Sequence, residues 1–323
     1  MDDPCHDRLV EVAKAYYVEN RTQAEIARSL GISRSQVSRY LSEAHEIGIV
    51  QIRIVDPCER NHDLGIQLQE RYPHLQHVIA APVFHSGPEA RRTIIGRYAA
   101  NYVTEIIRPE QHVVLGCGRT LREFVNALPK RDLGGIVFIQ AMGNLGHEAL
   151  DIDYNEITRQ AAESLGGRVH YVSAPAILGS GSDTAANFIA ANPMLEQALS
   201  FARAADVYVV GLGSMESDLI YTHFGLIKEN ELNNLSGRTA GDICGRFFDI
   251  SGRRQTSDFE DRIVGIELDD LRKARFSIGV AGGTDKVAPL LGAIRGQWIN
   301  VVVTDEQTLH SILALDDAYP PEK

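Results

Sequence analysis

The chain has 323 residues, 44% of them hydrophobic and 23% charged, with a formal net charge of −11. That composition suits a globular chain with one small and one larger domain, and it excludes disordered and collagen-like classes. No apolar run is long enough to span a bilayer, no signal-peptide pattern opens MDDPCHDR, and Cys5, Cys58, Cys117 and Cys244 lack paired metal spacing. A cytoplasmic location with reduced thiols, no membrane contact, no metal and no cofactor is therefore expected.

Taken in order, Asp7 to Glu19 carries apolar residues at helical spacing and predicts a supporting helix. The stretch TQAEIARSLGISRSQVSRYL then reads as a helix-turn-helix. Thr22 and Glu25 form a capping-box pattern, and Gly31 suits the left-handed residue that stops a helix. Ser33 and Gln36 repeat the capping pattern for a second helix. Val37, Leu41 and Ala44 line its apolar back, while Arg34, Ser35, Ser38, Arg39 and Ser42 face away. Arg21, Arg28, Arg34 and Arg39 stand against Glu25 alone, and this clustering favours a DNA-reading helix over a solvated hairpin. The candidate DNA-binding residues are Thr22, Ser33, Arg34, Ser35, Gln36, Ser38 and Arg39. After Gly48, Ile49 to Ile54 has strand character, as in a short wing, and CERNHDLG reads as a linker. The expected division is a winged helix-turn-helix over 1–55, a linker over 56–62 and an effector domain over 63–323.

The charge is unevenly divided: residues 1–55 sum to −1 and the remainder to −10. An acidic body repels DNA, so binding must rest on a local basic face in more than one copy, with strong salt dependence.

Beyond the linker, helices and Val/Ile-rich strands alternate. Strands are expected at His77–Ala81, His112–Leu115, Ile136–Gln140, Val169–Val172, Val207–Val210, Phe276–Val280 and Ile299–Val303. Helices are expected at Leu64–Arg71, Pro88–Arg108, Leu121–Leu128, Tyr154–Leu165, Met194–Ala202, Asp285–Ile294 and Glu306–Leu315. The pattern predicts an α/β domain with a largely parallel sheet, whose ligands bind at the carboxyl ends of the strands. Four glycine loops follow such strands. They hold Gly116, Cys117, Gly118, Arg119 and Thr120; Gln140 and Gly143; Gly213; and Gly282, Gly283 and Lys286. Glycines permit tight turns, and free N–H groups at a helix start attract phosphate. Four loops together favour a phosphorylated small molecule over turn chemistry alone. Asp242, in AGDICGRFFD, either faces that pocket to meet sugar hydroxyls or is merely salt-bridged or solvated.

The motifs TQAEIARSLGISRSQVSRYL, LGCGRTL, QAMGNLG, GDICGRFFD and AGGTDKVAPLLGAIRGQWINVVVTDE resemble the SorC family of bacterial sugar-responsive transcriptional regulators, sometimes grouped with the deoxyribonucleoside regulator. The resemblance covers nearly the whole chain. It implies a winged helix-turn-helix joined to an effector domain similar to sugar-phosphate isomerases and glucosamine-6-phosphate deaminase. It also implies operator DNA as partner, a sugar or sugar-phosphate effector, and homodimers or homotetramers. Gly116, Gly118, Arg119 and Thr120 match the family's phosphate loop, and Asp242 and Lys286 match positions facing the effector. Many members carry an aromatic residue where this chain has Cys117.

The rival reading is a sugar-phosphate isomerase or deaminase, which needs a positioned acid and base. QAMGNLG has no acid at the matching place. GLGSMESDL keeps Glu216 and Asp218 but lacks the histidine, and His147, Glu148 and His223 are isolated polar residues. A regulator without catalytic residues is expected. A protein-interaction scaffold would explain neither the arginine face nor the phosphate-type loops.

Overall fold

The computed structural model describes residues 4–50, 57–82, 87–145, 153–179, 181, 184–215, 235, 237–257 and 259–320. The chain divides into two compact units, Met1–Asp56 and Pro57–Lys323.

The first unit holds α1 (Pro4–Tyr17), α2 (Gln23–Leu30) and α3 (Arg34–Glu46). Its core is small. Val12 and Ala15 of α1, Ile26 and Ala27 of α2, and Val37 and Leu41 of α3 close on one another. Leu9, Ala13 and Ala44 form a second patch, against which Ile49 and Val50 pack. Gln51–Asp56 lie outside the described residues, and with them most of the strand expected as a wing.

In the second unit the polar stretch expected as a linker is, from Pro57 on, the first half of α4 (Pro57–Arg71). A polar helix with a narrow buried stripe looks like a linker in composition; among its described residues Leu64 and Leu68 reach the core. Next come β1 (His77–Ala81), α5 (Pro88–Ile106), β2 (His112–Leu115), α6 (Arg119–Asn126), β3 (Val137–Gln140), α7 (Tyr154–Leu165) and β4 (Arg168–His170). They are followed by α8 (Ala185–Ala190), α9 (Pro193–Arg203), β5 (Val207–Val210), β6 (Gly241–Ile243) and β7 (Arg246–Phe248). The described chain ends with α10 (Leu268–Lys273), β8 (Phe276–Val280), α11 (Val287–Arg295), β9 (Val301–Asp305) and α12 (Glu306–Ala318). Asp285 and Lys286, expected inside a helix, belong to a separate 3-10 turn, Thr284–Lys286, ahead of α11. The fourth strand is Arg168–His170 rather than Val169–Val172.

Seven strands form one sheet in the order β1-β9-β8-β5-β2-β3-β4, and every described pairing in it is parallel. Period-two alternation divides the side chains between two cores. Val114, Tyr208, Val210 and Val302 point to one face, and Val113, Leu115, Val207, Val209, Val301 and Val303 to the other. Both faces are covered, which is why these strands read as continuous apolar runs rather than alternating ones. At the sheet's amino edge, just before β9, Trp298 is 4% exposed. Its Nε1 donates to Gly252 O at 3.1 Å, and the Arg272 guanidinium stacks 3.7 Å from its ring centre.

Helices α5 and α6 cross very closely. A Cβ added at Gly96 would sit 2.6 Å from Phe124 N and from Glu123 C, in the backbone of α6. Backbone cannot yield as a side-chain tip can, so Gly96→Ala overpacks the contact. We expect the substitution to destabilise the chain by about 1–3 kcal/mol, read by urea unfolding. An unchanged midpoint would contradict the close crossing.

Candidate DNA-binding face and effector site

In the first unit both capping boxes are made. Thr22 Oγ1 accepts from Glu25 N at 3.3 Å, and Thr22 N donates to Glu25 Oε2 at 2.8 Å. Ser33 Oγ accepts from Gln36 N at 3.2 Å, and Ser33 N donates to Gln36 Oε1 at 2.9 Å. Gly31 takes the left-handed conformation, φ +66°, that turns the chain between α2 and α3. Val37, Leu41 and Ala44 form the buried side of α3. Arg34, Ser35, Ser38, Arg39 and Ser42 are exposed on the other side. The candidates therefore separate into two groups. Thr22, Ser33 and Gln36 hold helix starts, while Arg34, Ser35, Ser38 and Arg39 present donors outward. Ser35 Oγ is hydrogen-bonded to Ser33 Oγ at 2.8 Å, which keeps both hydroxyls at the amino end of α3.

In the second unit the four glycine loops follow β2, β3, β5 and β8, and these four strands are consecutive in the sheet order β8-β5-β2-β3. Because the strands are parallel, all four loops emerge at one edge. The chain runs outward from β2 to β3 and β4 on one side, and from β5 to β8 and β9 on the other. The β2–β5 boundary is thus the topological switch point, where open α/β sheets leave a crevice for ligands. Gly116 and Gly211 meet there. A Cβ on Gly116 would lie 3.3 Å from Val210 Cα, and one on Gly211 would lie 3.7 Å from Cys117 O. Among the described residues no side chain caps the start of α6, which Gly118 precedes and where Arg119 and Thr120 stand. Burial pushes the Cys117 thiol up to about 12 and raises that of Cys244 further, so both sulfurs stay protonated and unreactive at neutral pH.

Asp242 is buried and joins the loop after β5. Gly213 N donates to Asp242 O at 3.0 Å, and a Cβ on Gly213 would overlap Asp242 Oδ1. Asp242 Oδ2 accepts from Gly245 N at 2.8 Å across the tight β6–β7 turn, in which Cys244 and Gly245 both have positive φ. This carboxylate therefore has a structural duty in the hairpin, whatever else it meets. Gln140 is also buried: Nε2 donates to Asn155 Oδ1 at 2.9 Å, and Oε1 accepts from Val172 N at 2.8 Å. Gly143 lies against the 174–175 backbone, where a Cβ would be 2.5 Å from Ala174 O and from Pro175 O. Lys286 is ion-paired with Asp285 at 3.1 Å. Glu216, Asp218, His147, Glu148 and His223 fall outside the described residues.

Two features escaped the sequence reading. Tyr154 is fully packed at the start of α7. Its hydroxyl donates to Leu115 O and accepts from Ala141 N at 2.8 Å, tying the carboxyl ends of β2 and β3 together. Burial raises its pKa well above the usual phenol value, so the proton needed for that donation stays in place. Near the loop after β8, Thr308 Oγ1 donates to Asp305 Oδ2 at 2.6 Å and accepts from Gly283 N at 2.8 Å. Arg91 Nε lies 3.6 Å from the same carboxylate, and Arg91 Nη1 is 3.2 Å from where a Gly283 Cβ would be. Arg91 is thus a further cation over this loop. It was hidden in sequence on the face of a long helix more than 190 positions away from that loop. Among the described residues no helix is long and apolar enough to cross a membrane, and no cluster of three or more His, Cys, Asp or Glu could hold a metal ion.

The family model for sugar-binding domains matches residues 56–314, and that for region 4 of sigma-70 matches 7–46. The chain belongs to the SorC family of sugar-binding transcriptional regulators. It is 31% identical to the sorbitol operon regulator of Klebsiella pneumoniae, covering 94% of this chain and 97% of that one. It is 30% identical to the deoxyribonucleoside regulator of Bacillus subtilis, covering 97% and 99%. The crystal structure of full-length SorC from Klebsiella pneumoniae superposes with a TM-score of 0.73 over 97% of this chain and 100% of that one. As a member of the SorC family, the chain is a DNA-binding regulator of carbohydrate metabolism under the control of a sugar or sugar-phosphate effector.

Hydrogen bonding from the Thr22 backbone, the largest contribution, holds the Glu25 carboxyl below its usual 4.5. A depressed carboxylate stabilises the fold above its unfolded pKa and loses that contribution as pH falls through the folded value. Glu25→Gln keeps the capping pattern and removes the titration. On acidification from about pH 5 to about pH 3 the Tm of the wild type should therefore fall more than that of Glu25→Gln. Circular dichroism melts of both proteins check this, and parallel pH profiles would contradict it.

Proposed function

We propose that the exposed side of α3, through Arg34, Ser35, Ser38 and Arg39, enters the major groove of operator DNA, with Thr22, Ser33 and Gln36 at helix starts beside phosphates. The buried back of α3 and its short outward hydroxyls and guanidiniums support this docking. One such module offers few phosphate contacts and the body of the chain is acidic, so the working form is a homodimer or homotetramer in the cytoplasm.

The effector is a sugar or polyol phosphate bound at the carboxyl edge of the sheet. The observation that carries this reading is the emergence of four glycine loops from four consecutive parallel strands around the switch point. The uncapped start of α6 with Arg119 and Thr120 suits the phosphate. Gly116, Cys117, Gly118 and Gly213 line the crevice, and Gly282, Gly283 and Lys286 bound it on the β8 side. Ligand that binds two quaternary arrangements unequally then shifts the half-site spacing that paired modules span. Since relatives are named for sorbitol and for deoxyribonucleosides, open-chain and pentose phosphates are the first compounds to try.

Arg34→Ala or Arg39→Ala should weaken operator binding by about 1–3 kcal/mol where the side chain meets a base, or lower the salt slope by about one where it meets phosphate. Fluorescence anisotropy across a salt series measures both, and wild-type values for both variants would reject this docking.

Arg119→Ala or Lys286→Ala should each lower affinity for the phosphorylated effector by about 1–3 kcal/mol. Operator affinity without ligand should hardly change. Calorimetric titration on the samples used for anisotropy decides the matter: normal ligand affinity in both variants places the phosphate elsewhere, and turnover of the ligand would restore the isomerase reading.

A further inference from the structure

One cleft in the second unit stands apart from the cationic loops. It has a volume of about 680 Å³ and is lined by Asn144, Asn155, Tyr171, Ser173, Ala174 and Pro175. It lies beyond the carboxyl ends of β3 and β4, on the far side of β3 from the switch point. Its walls are backbone-tied: Asn144 N donates to Ala174 O, and Ala176 N to Asn144 O, both at 2.8 Å. From Tyr171 to Ala176 the chain alternates exposed and buried residues, with Val172, Ala174 and Ala176 inward. Tyr171, Ser173 and Pro175 are thereby turned outward along one side.

The polarity of this cleft is set from beneath. Val172 N can only donate, so the Gln140 end that meets it is Oε1. Gln140 then presents its NH2 to Asn155, whose Oδ1 accepts it. The Asn155 end left for the cleft is therefore Nδ2, a donor. One buried backbone N–H orients two amides in series, and Gln140, both of whose ends are engaged internally, acts through Asn155 as a positioning residue.

Among the described residues the lining offers no charged group to hold an anion. All six residues are uncharged. The nearest helix start, that of α7, is already occupied by a carboxylate, since Asp153 Oδ1 accepts from Asn155 N at 2.8 Å and from Glu156 N at 3.3 Å. Two amides, a serine hydroxyl and a half-exposed tyrosine ring are the groups that suit uncharged hydroxyls and the apolar C–H face of a carbohydrate. The loop bearing Arg119 follows β2, one strand from β3 and two from β4, or about 5–10 Å away. The loop bearing Lys286 follows β8, three and four strands away.

We propose that this cleft holds the uncharged, hydroxyl-bearing end of the effector while its phosphate lies on the β2 loop, and that Asn155, Ser173 and Tyr171 determine which sugar is accepted. The proposal rests on the reading of the sheet edge as a sugar-phosphate site.

The test begins with a thermal-shift panel of pentose, hexose and hexitol phosphates on the full chain. Calorimetry with the tightest of them then compares wild type, Asn155→Ala, Ser173→Ala and Arg119→Ala across a potassium chloride series. Ser173 is exposed, so its variant keeps the test sound should Asn155→Ala fail to fold. Asn155→Ala and Ser173→Ala should each raise Kd about tenfold with the wild-type salt dependence, since they remove neutral hydrogen bonds. Arg119→Ala should raise Kd and flatten the salt dependence, since it removes a screened charge. Wild-type affinity in both cleft variants would overturn the proposal while leaving the sugar-phosphate reading in place. So would a salt slope flattened in the cleft variants as in Arg119→Ala, which would put the phosphate in the cleft. No binding by any member of the panel would overturn that reading and the proposal together.

Discussion

The parallel pairing of all seven strands is the constraint from which the second unit follows. A parallel pair cannot close through a hairpin, so each return crosses on a face of the sheet and each strand ends at the same edge. Both faces are then covered, the strands become apolar on both sides, and polar function is confined to the loops. The reversal of strand order between β2 and β5 opens those loops into a crevice instead of a flat rim. Every feature assigned to the effector site is a consequence: glycines where loops touch, an uncapped helix start after β2, and amides beyond β3.

Around that crevice the loops are not held alike. The β2 and β3 ends are joined by the Tyr154 hydroxyl, which serves both strands at once. The loop after β5 is seated on the Asp242 hairpin. The loop after β8 is held by Thr308, Asp305 and Arg91. The Tyr154 and Thr308 hydroxyls are buried and each both donates and accepts, the condition under which such groups rigidify rather than destabilise. A ligand spanning the β2 loop and the β3–β4 cleft therefore meets one pre-organised body, whereas the β8 side belongs to a separate group of contacts.

Much of this was legible in the residues. The two capping boxes, Gly31 and the apolar back of α3 were readable because caps and helical periodicity are local, and the structure makes those bonds. The strands His77–Ala81, His112–Leu115, Val207–Val210 and Phe276–Val280 appear where their runs of Val and Ile place them. The glycine loops were legible as loops, and their convergence followed once the strands were taken as parallel. What could not be read depends on long-range pairing. Gln140 looked like a ligand residue because nothing in its neighbourhood announces Val172 or Asn155 as partners. The start of α4 looked like linker because its polarity hides a narrow buried stripe. Arg91 reaches the β8 loop only through the stacking of α5 against the sheet, and the division of labour at Asp242 became visible only with Gly213 beneath it.

The setting of Trp298 has an optical consequence. It is the single tryptophan of the chain, it is buried at the sheet's amino edge, and a guanidinium lies against its ring. Its emission therefore comes wholly from the second unit, since the DNA-binding unit contributes only tyrosines. The fluorophore also lies at the opposite end of the strands from the ligand loops. Ligand arriving at the carboxyl edge leaves its immediate surroundings intact, whereas loss of the sheet exposes it to water and removes the stacked cation. The chain thus carries a built-in reporter that distinguishes melting of the effector domain from melting of the helix-turn-helix without any label.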